Sequence, residues 1–231
     1  MKLGLQLGYW GAQPPTNGPE LVTAAEAAGF DAVFAAESWG SDAFTPLSWW
    51  GSATERVRLG TSVVQISGRT PTNCAMHALT LDHLSGGRHI LGLGVSGPQV
   101  VEGWYGQPFA KPLARTREYV SIIRDVLARR EPVTSAGPHY PLPYDGEGAT
   151  GLGKPLKPIT HPLRSDIPIW LAPRARRTSR SLRRSPTAGS RSTTHRALPR
   201  CTTNGSTKDS PARERVAVAR TSRSRRPARW W

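Results

Sequence analysis

The feature that most restricts the fold is an alternation of strand-like and helix-like patterns that runs through the first 172 residues and then stops. Residues 3–7 form a short apolar run closed by Gly8. A turn-rich stretch with Pro14, Pro15 and Asn17 follows. Pro19 and Glu20 suit a first helical turn; Leu21, Val22, Ala25 and Ala28 come next at helical spacing, and Gly29 suits the C-terminal cap. Residues 30–35 read as a second strand, 44–54 as a helix, and the β-branched run 57–66 as a third strand. A helix over 71–84 ends at Ser85-Gly86-Gly87, and 89–95 reads as a fourth strand. The clearest amphipathic helix is 115–130, with Val120, Ile123, Val126 and Leu127 on one face. Residues 167–171 read as a fifth strand. Strands alternating with helices imply parallel βαβ units.

Charge divides the chain at the same place. The net charge is +15 over 231 residues. Residues 173–231 hold 16 Arg and one Lys against Asp209 and Glu214, so they carry all of it. The other 172 residues, with 14 basic and 14 acidic groups, are neutral. After Ala172 the chain is mostly Arg, Ser, Thr, Ala and Pro without apolar period, a composition expected to be disordered. Such a tail attracts nucleic acid electrostatically, without specificity. Cys74 and Cys201 lack CxxC spacing and imply neither a disulfide framework nor zinc. The N-terminal apolar stretch is broken at Gly4, Gln6 and Gly8, so it is no signal peptide, and no run is long enough to span a membrane. A cytoplasmic setting is expected.

In parallel α/β folds, chemistry sits at the carboxyl ends of strands. Here those ends are Gly8-Tyr9-Trp10, Ala36-Glu37-Ser38-Trp39, Ser62 to Ser67, and Gly94-Val95-Ser96-Gly97-Pro98. Small residues let a flat ring approach the backbone, and Trp10 and Trp39 can stack or form walls. Glu37, the only carboxylate directly after a strand, either touches ligand or caps the next helix. The Gly92-Leu93-Gly94-Val95-Ser96-Gly97 run resembles GxGxxG but lacks its tight strand–turn–helix context and acidic partner. His77, His83 and His89 share no metal-ligand spacing with a carboxylate and are expected on a helix surface or in the core. No nucleophile elbow is visible and no catalytic residue is assigned. The chemistry would then come largely from a bound cofactor. The long loop 131–166 is expected either to border the site or to be a surface insertion.

Several segments resemble the luciferase-like oxidoreductases. They are Gly60-Thr61-Ser62-Val63-Val64, Arg69-Thr70-Pro71, and Thr80-Leu81-Asp82-His83-Leu84-Ser85-Gly86-Gly87-Arg88. The run from Leu91 to Trp104 and Ile167-Pro168-Ile169-Trp170-Leu171-Ala172 extend the likeness over essentially all of 1–172. The resemblance implies an α/β TIM (β/α)8 barrel, here incomplete, with about five of eight strands. It implies hydride transfer between the deazaflavin coenzyme F420 and a small-molecule substrate, with an FMN-dependent monooxygenase as the alternative. It also implies a homodimer for the intact family member, and a bulge in the third strand, often with a non-proline cis peptide, that backs the cofactor ring. The matching position is Ser62-Val63. Glu37 and Ser38 match positions that contact the ring, and Gly94, Val95, Ser96 and Gly97 match the fourth-strand loop near it.

The tail has a further reading. Residues 173–179 can be spelled so that dropping two bases gives Glu-Gly-Pro-Lys-Asn-Val, and the same phase serves two later segments. The strings obtained resemble what the family carries after its fifth strand. A one-base deletion near codon 172 is therefore expected, leaving 1–172 as the N-terminal part of a barrel and 173–231 out of frame. Open sheet edges and missing phosphate-binding loops would make such a chain poorly soluble and a weak cofactor binder.

Overall fold

The apolar pattern dictates five parallel strand positions, and these form with their connecting helices. The computed structural model describes residues 2–172. Its order is β1 (Gly4–Gly8), α1 (Gly18–Ala27), β2 (Ala32–Ala35), α2 (Phe44–Gly51), β3 (Arg58–Thr61), β4 (Val64–Gln65), α3 (Pro71–Leu84), β5 (His89–Gly94), α4 (Pro98–Gly103), α5 (Pro112–Ala128) and β6 (Ile169–Leu171). The Arg-rich tail, its expected disorder and Cys201 lie outside the described residues. No helix among the described residues is long and apolar enough to cross a membrane.

Helix boundaries follow capping chemistry. α3 opens with Thr70, whose hydroxyl accepts from Asn73 N at 3.3 Å, and Pro71 fills the first helical position. α5 begins three residues earlier than its apolar stripe suggests, because Pro112 presets the first turn. Its buried face carries Tyr119, Val120, Ile122, Ile123, Val126 and Leu127. The fourth strand is followed by the short helix α4, so the glycine run does precede a helix, contrary to expectation.

The expected third strand is two strands. β1 pairs with β2 and β2 with β3; β3 and β4 then pair with successive halves of β5, and β6 lies on the other side of β5, all parallel. Leu59 stands opposite His89 and Gly60 opposite Ile90, whereas Val64 faces Leu93 and Gln65 faces Gly94. Between these pairings, residues 61–63 oppose residues 91–92, so the β3–β4 side carries one extra residue, a bulge. A one-residue slip exchanges the two faces of a strand. Before the bulge Val57, Leu59 and Thr61 are buried; after it the buried apolar positions are Val64 and Ile66. The Thr61 hydroxyl closes the gap in the ladder, accepting from Gly92 N at 2.7 Å and donating to Gly92 O at 2.9 Å.

One sheet face packs on the helices through a continuous core including Val22, Val33, Leu47, Leu91, Ile123 and Leu127. On the other face Phe34 stacks on Trp170 with ring centroids 5.5 Å apart. Phe34 also lies against Gly60, where any Cβ would collide with the ring. This small-residue requirement fixes how closely the ring approaches the sheet.

The amino ends of the strands are held by polar clamps from the Asp82–Arg88 turn. All five guanidinium N–H groups of Arg88 are used: on Ser85 O, Thr54 Oγ1, Val57 O, Gly51 O and Thr54 O, at 2.7–3.2 Å. Gly51 and Thr54 close α2, so the cation meets the negative end of that helix. Asp82, with a side chain 1% exposed, accepts from Arg164 Nη2 at 2.7 Å and from His89 N at 3.2 Å. His89 Nδ1 meets Leu59 O at 2.9 Å. His77 and His83 meet the carbonyls of Asn73 and His161, so all three histidines serve structure as expected.

The 131–166 loop is no free insertion. Its outgoing limb pairs Val133 with Leu156 and Ser135 with Leu142. The Glu118 carboxylate accepts from His139 N and Tyr140 N, and Arg115 lies 5.7 Å from the Tyr140 ring centroid. The loop returns past Arg129, which donates to Pro158 O, to Arg164 at the foot of β5. It is a strap on α5 whose length is set by the distance up and down that helix.

Two predictions test these clamps. Arg164→Ala leaves a buried Asp82 carboxylate without its cation. It should cost about 3 kcal/mol of unfolding free energy, read from urea midpoints at constant m. Burial pushes the His89 imidazole down to about 4 from 6.5. Below 6.5 the unfolded chain therefore binds a proton that the folded chain refuses until about 4. Stability should be full above that window and fall as pH drops through it, by up to about 3 kcal/mol. His89→Asn should flatten this part of the profile relative to the unsubstituted chain.

Candidate functional site

Backbone hydrogen bonds draw the carboxyl ends of the strands into one rim. Ala36 N donates to Gly8 O at 2.9 Å, Ser62 N to Ala35 O at 2.7 Å, Glu37 N to Val63 O at 3.2 Å and Ile66 N to Gly94 O at 3.0 Å. Glu37, Ser62, Val63 and Gly94 are thus neighbours, as their places in sequence suggested. The Ser62–Val63 peptide is cis, at the position the resemblance marked. Ser62 is exposed and Val63 half-buried. Val63 packs over Gly94, where a Cβ would stand 2.5 Å from Val63 Cγ2. Only glycine lets the bulge close on β5. Val95, Ser96 and Gly97 form the half-buried turn into α4, with Ser96 at φ 56°. Ser38 is half-buried, its N–H directed to Ser41 O at 3.4 Å.

Glu37 does not cap the next helix, whose N-cap position is Ala43. Its side chain is 4% exposed and accepts a two-pronged bond from Arg69, Nη1 to Oε1 at 3.0 Å and Nη2 to Oε2 at 2.6 Å. Oε1 also accepts from Gln65 N at 3.2 Å. The carboxylate therefore points into the helix layer and ties β2 to β4. Arg69 lies 5.3 Å from the Phe44 ring centroid. Burial works against its charge, but the hydrogen bonds and charge of Glu37 outweigh burial and hold its pKa above the ordinary value. The Arg69 carbonyl accepts from Tyr119 OH at 3.2 Å, which joins α5 to the same knot. The nearby Cys74 thiol is pushed up to about 11 by burial, which makes it a poor nucleophile.

Arg69 escaped the strand-end reading, and Gln65 and Trp10 fell within it without their contacts being read. Arg69 stands four residues past the end of β4, and its signal was the Arg-Thr-Pro element before α3. Gln65 is the one polar side chain inside Val-Val-Gln-Ile, and the expected single strand gave it no direction. Trp10 was read as a stacking surface or a wall; its indole Nε1 is buried without a hydrogen-bond partner among the described residues. Gln65 Oε1 is likewise buried and unpartnered. Tyr9 and Trp39 are 59% and 60% exposed at the same rim. A cavity of about 500 Å³ opens beside it, lined by Ile66, Leu93, Gly94, Val95, Leu171 and the first turns of α5. Among the described residues no three His, Cys, Asp or Glu side chains gather as metal ligands. Small residues, apolar walls, one orphan donor and one orphan acceptor are what a flat heterocycle with polar edges requires.

Comparison with known proteins agrees with this architecture. A protein named provisionally a coenzyme F420-dependent oxidoreductase, from Mycobacterium tuberculosis, is 81% identical over 171 residues, 74% of this chain and 49% of that protein. The chain thus spans about half the length of that relative. The F420-dependent tetrahydromethanopterin reductase of Methanopyrus kandleri superposes with a TM-score of 0.60 at 23% identity, covering 74% of this chain and 49% of the reductase. The oxygenating component of the 3,6-diketocamphane monooxygenase of Pseudomonas putida, in complex with FMN, gives 0.58 at 17%, covering 74% and 51%. At such identities the likeness shows the fold, the TIM-barrel-like parallel α/β architecture. The model of one family, described as luciferase-like monooxygenase, matches residues 4–181, and the chain belongs to that family.

Proposed function

We propose that this chain carries the scaffold of an F420-dependent oxidoreductase that moves a hydride between the deazaflavin and a small organic substrate. The observation that carries this reading is the 81% identity over 171 residues to the mycobacterial relative named for that coenzyme. The rim supports it, with the exposed Ser62, the half-buried 95–97 turn and two orphan polar atoms. FMN is the second reading, favoured by the fold shared with the FMN-bound monooxygenase component.

The bound deazaflavin would supply a two-electron hydride carrier. The chain's own residues do the rest. Ser62 and Val63 would present backbone to one face of the ring, and the 94–97 turn would flank its edge. Glu37 and Arg69 are positioning residues: their buried pair fixes the β2 and β4 ends against each other without reaching the ring. Tyr9 and Trp39 offer aromatic surface toward a substrate. We also infer that residues 173–231 are the same gene read out of frame after codon 172. Sequencing the DNA across that codon checks this, and an unbroken Arg-rich frame in independent isolates would overturn it.

Titration with F420 and with FMN, followed by fluorescence, tests the coenzyme. In the frame-restored protein F420 should bind at least tenfold more tightly than FMN; the reverse order would move the assignment to the FMN reading, and binding of neither would remove both. Glu37→Gln leaves the Arg69 cation, 14% exposed, without its carboxylate. Stability should fall by about 3 kcal/mol, and coenzyme binding should weaken with it. Adding Arg69→Met should recover most of the lost stability, because an apolar pair no longer strands a charge.

A further inference from the structure

The bulge turns one side chain toward the barrel-interior face, and that side chain's carbonyl oxygen has no hydrogen-bond donor among the described residues. Val64 and Ile66 belong to the apolar cluster packed on the helices. Strand alternation then places Gln65 on the opposite face, beside its register partner Gly94, which has no side chain to meet it. On that face Gln6, the register partner of the ring-bearing Phe34, extends its amide to Ser62 O at 3.5 Å. Gln65 is 6% exposed, and its Oε1 has no donor. Its own backbone N–H is spent on Glu37, so the segment is held while the side-chain carbonyl is left unsatisfied. A buried acceptor without a donor costs about 1–3 kcal/mol. The cost is met when a ligand brings the donor.

We propose that Gln65 is a ligand-binding residue that reads the imide edge of a planar heterocycle, its Oε1 accepting from the ring N–H. A primary amide carries an acceptor and a donor side by side. The C(=O)–N–H edge of a pyrimidinedione carries the complementary pair. Flavins and 5-deazaflavins share that edge, so the contact fixes how the ring is turned and does not distinguish the two. The inference rests on the coenzyme reading above and adds to it the residue that orients the ring. It also explains a polar residue in a strand whose neighbours are all apolar.

The test uses the 231-residue chain and ring probes without a phosphate tail: lumiflavin, 5-deazalumiflavin and 3-methyllumiflavin, whose methyl group removes the donor. Binding is read by fluorescence and folding by thermal melting. The unsubstituted chain should bind the first two and lose about tenfold on 3-methylation. Gln65→Leu should bind lumiflavin about tenfold more weakly and be indifferent to 3-methylation. Its melting temperature should be unchanged or higher, since an unsatisfied polar group has been removed. A structural glutamine would show the opposite, a lower melting temperature with unaltered ring binding. Undiminished binding by folded Gln65→Leu overturns the assignment and leaves the coenzyme reading standing. So does an unsubstituted chain indifferent to 3-methylation, an arm that needs no variant to fold. Failure of the unsubstituted chain to bind either unmethylated ring overturns the coenzyme reading, and the Gln65 assignment with it.

Discussion

One extra residue between Gly60 and Val64 governs the rest of the site. A parallel strand cannot change which side chains it buries without breaking its register, because the period is two. The apolar positions of this segment run Val57, Leu59 and then Val64, Ile66, an odd series followed by an even one. Both series must face the helices, so the ladder has to absorb a residue between them. It does so at 61–63, where the Thr61 hydroxyl substitutes for the missing backbone bonds to Gly92. Three consequences share this cause: Ser62 is exposed at the rim, Val63 folds over Gly94, and Gln65 turns inward. None follows from the chemistry of a ligand; all follow from burying Val64 and Ile66.

The most recognisable motif and the candidate rim lie at opposite ends of the sheet. Asp82-His83-Leu84-Ser85-Gly86-Gly87-Arg88 identifies the family by sequence, yet its side chains work at the amino ends of the strands. Arg88 satisfies the last carbonyls of α2, and Asp82 holds Arg164 just before β6. These are demanding arrangements: a guanidinium with five used donors tolerates no lysine, and a carboxylate 1% exposed tolerates no loss of its cation. Such geometry leaves a strong sequence signature. A surface that receives a ring needs only smallness and bare backbone, and its signature is weaker.

That difference accounts for what was legible in the sequence. The helix over 71–84 and the amphipathic face of α5 were readable because capping and apolar period act within a few residues of chain. So were the strands, since their parallel burial leaves continuous apolar runs. The bulge was placed only by resemblance, although the parity change from Leu59 to Ile66 already encodes it. Glu37 was legible as a position and not as a contact. Its partner Arg69 is 32 residues away, and only the pairing of β2 with β3, which runs on into β4, brings them together. The strap over 131–166 was illegible for a related reason: its order comes from Glu118, Arg129 and Asp82, each on another element.

The two buried ion pairs then act through a common rod. Arg69 immediately precedes α3 and Asp82 lies in its last turn, so the helix is anchored at one end to β2 through Glu37 and at the other to the foot of β6 through Arg164. At 1.5 Å per residue the 14-residue helix spans about 21 Å, close to the height of the sheet. Sliding α3 by even a fraction of a turn would pull both carboxylates from their cations, and each is too buried for water to replace the lost bonds. The rim therefore cannot adapt by moving this helix. Adaptation to a ligand must come from side chains that the clamps leave unspent. Among the buried side-chain atoms of the described rim residues these are Gln65 Oε1 and Trp10 Nε1. A rigid backbone with two unsatisfied polar atoms would hold a flat ligand in one orientation without rearranging.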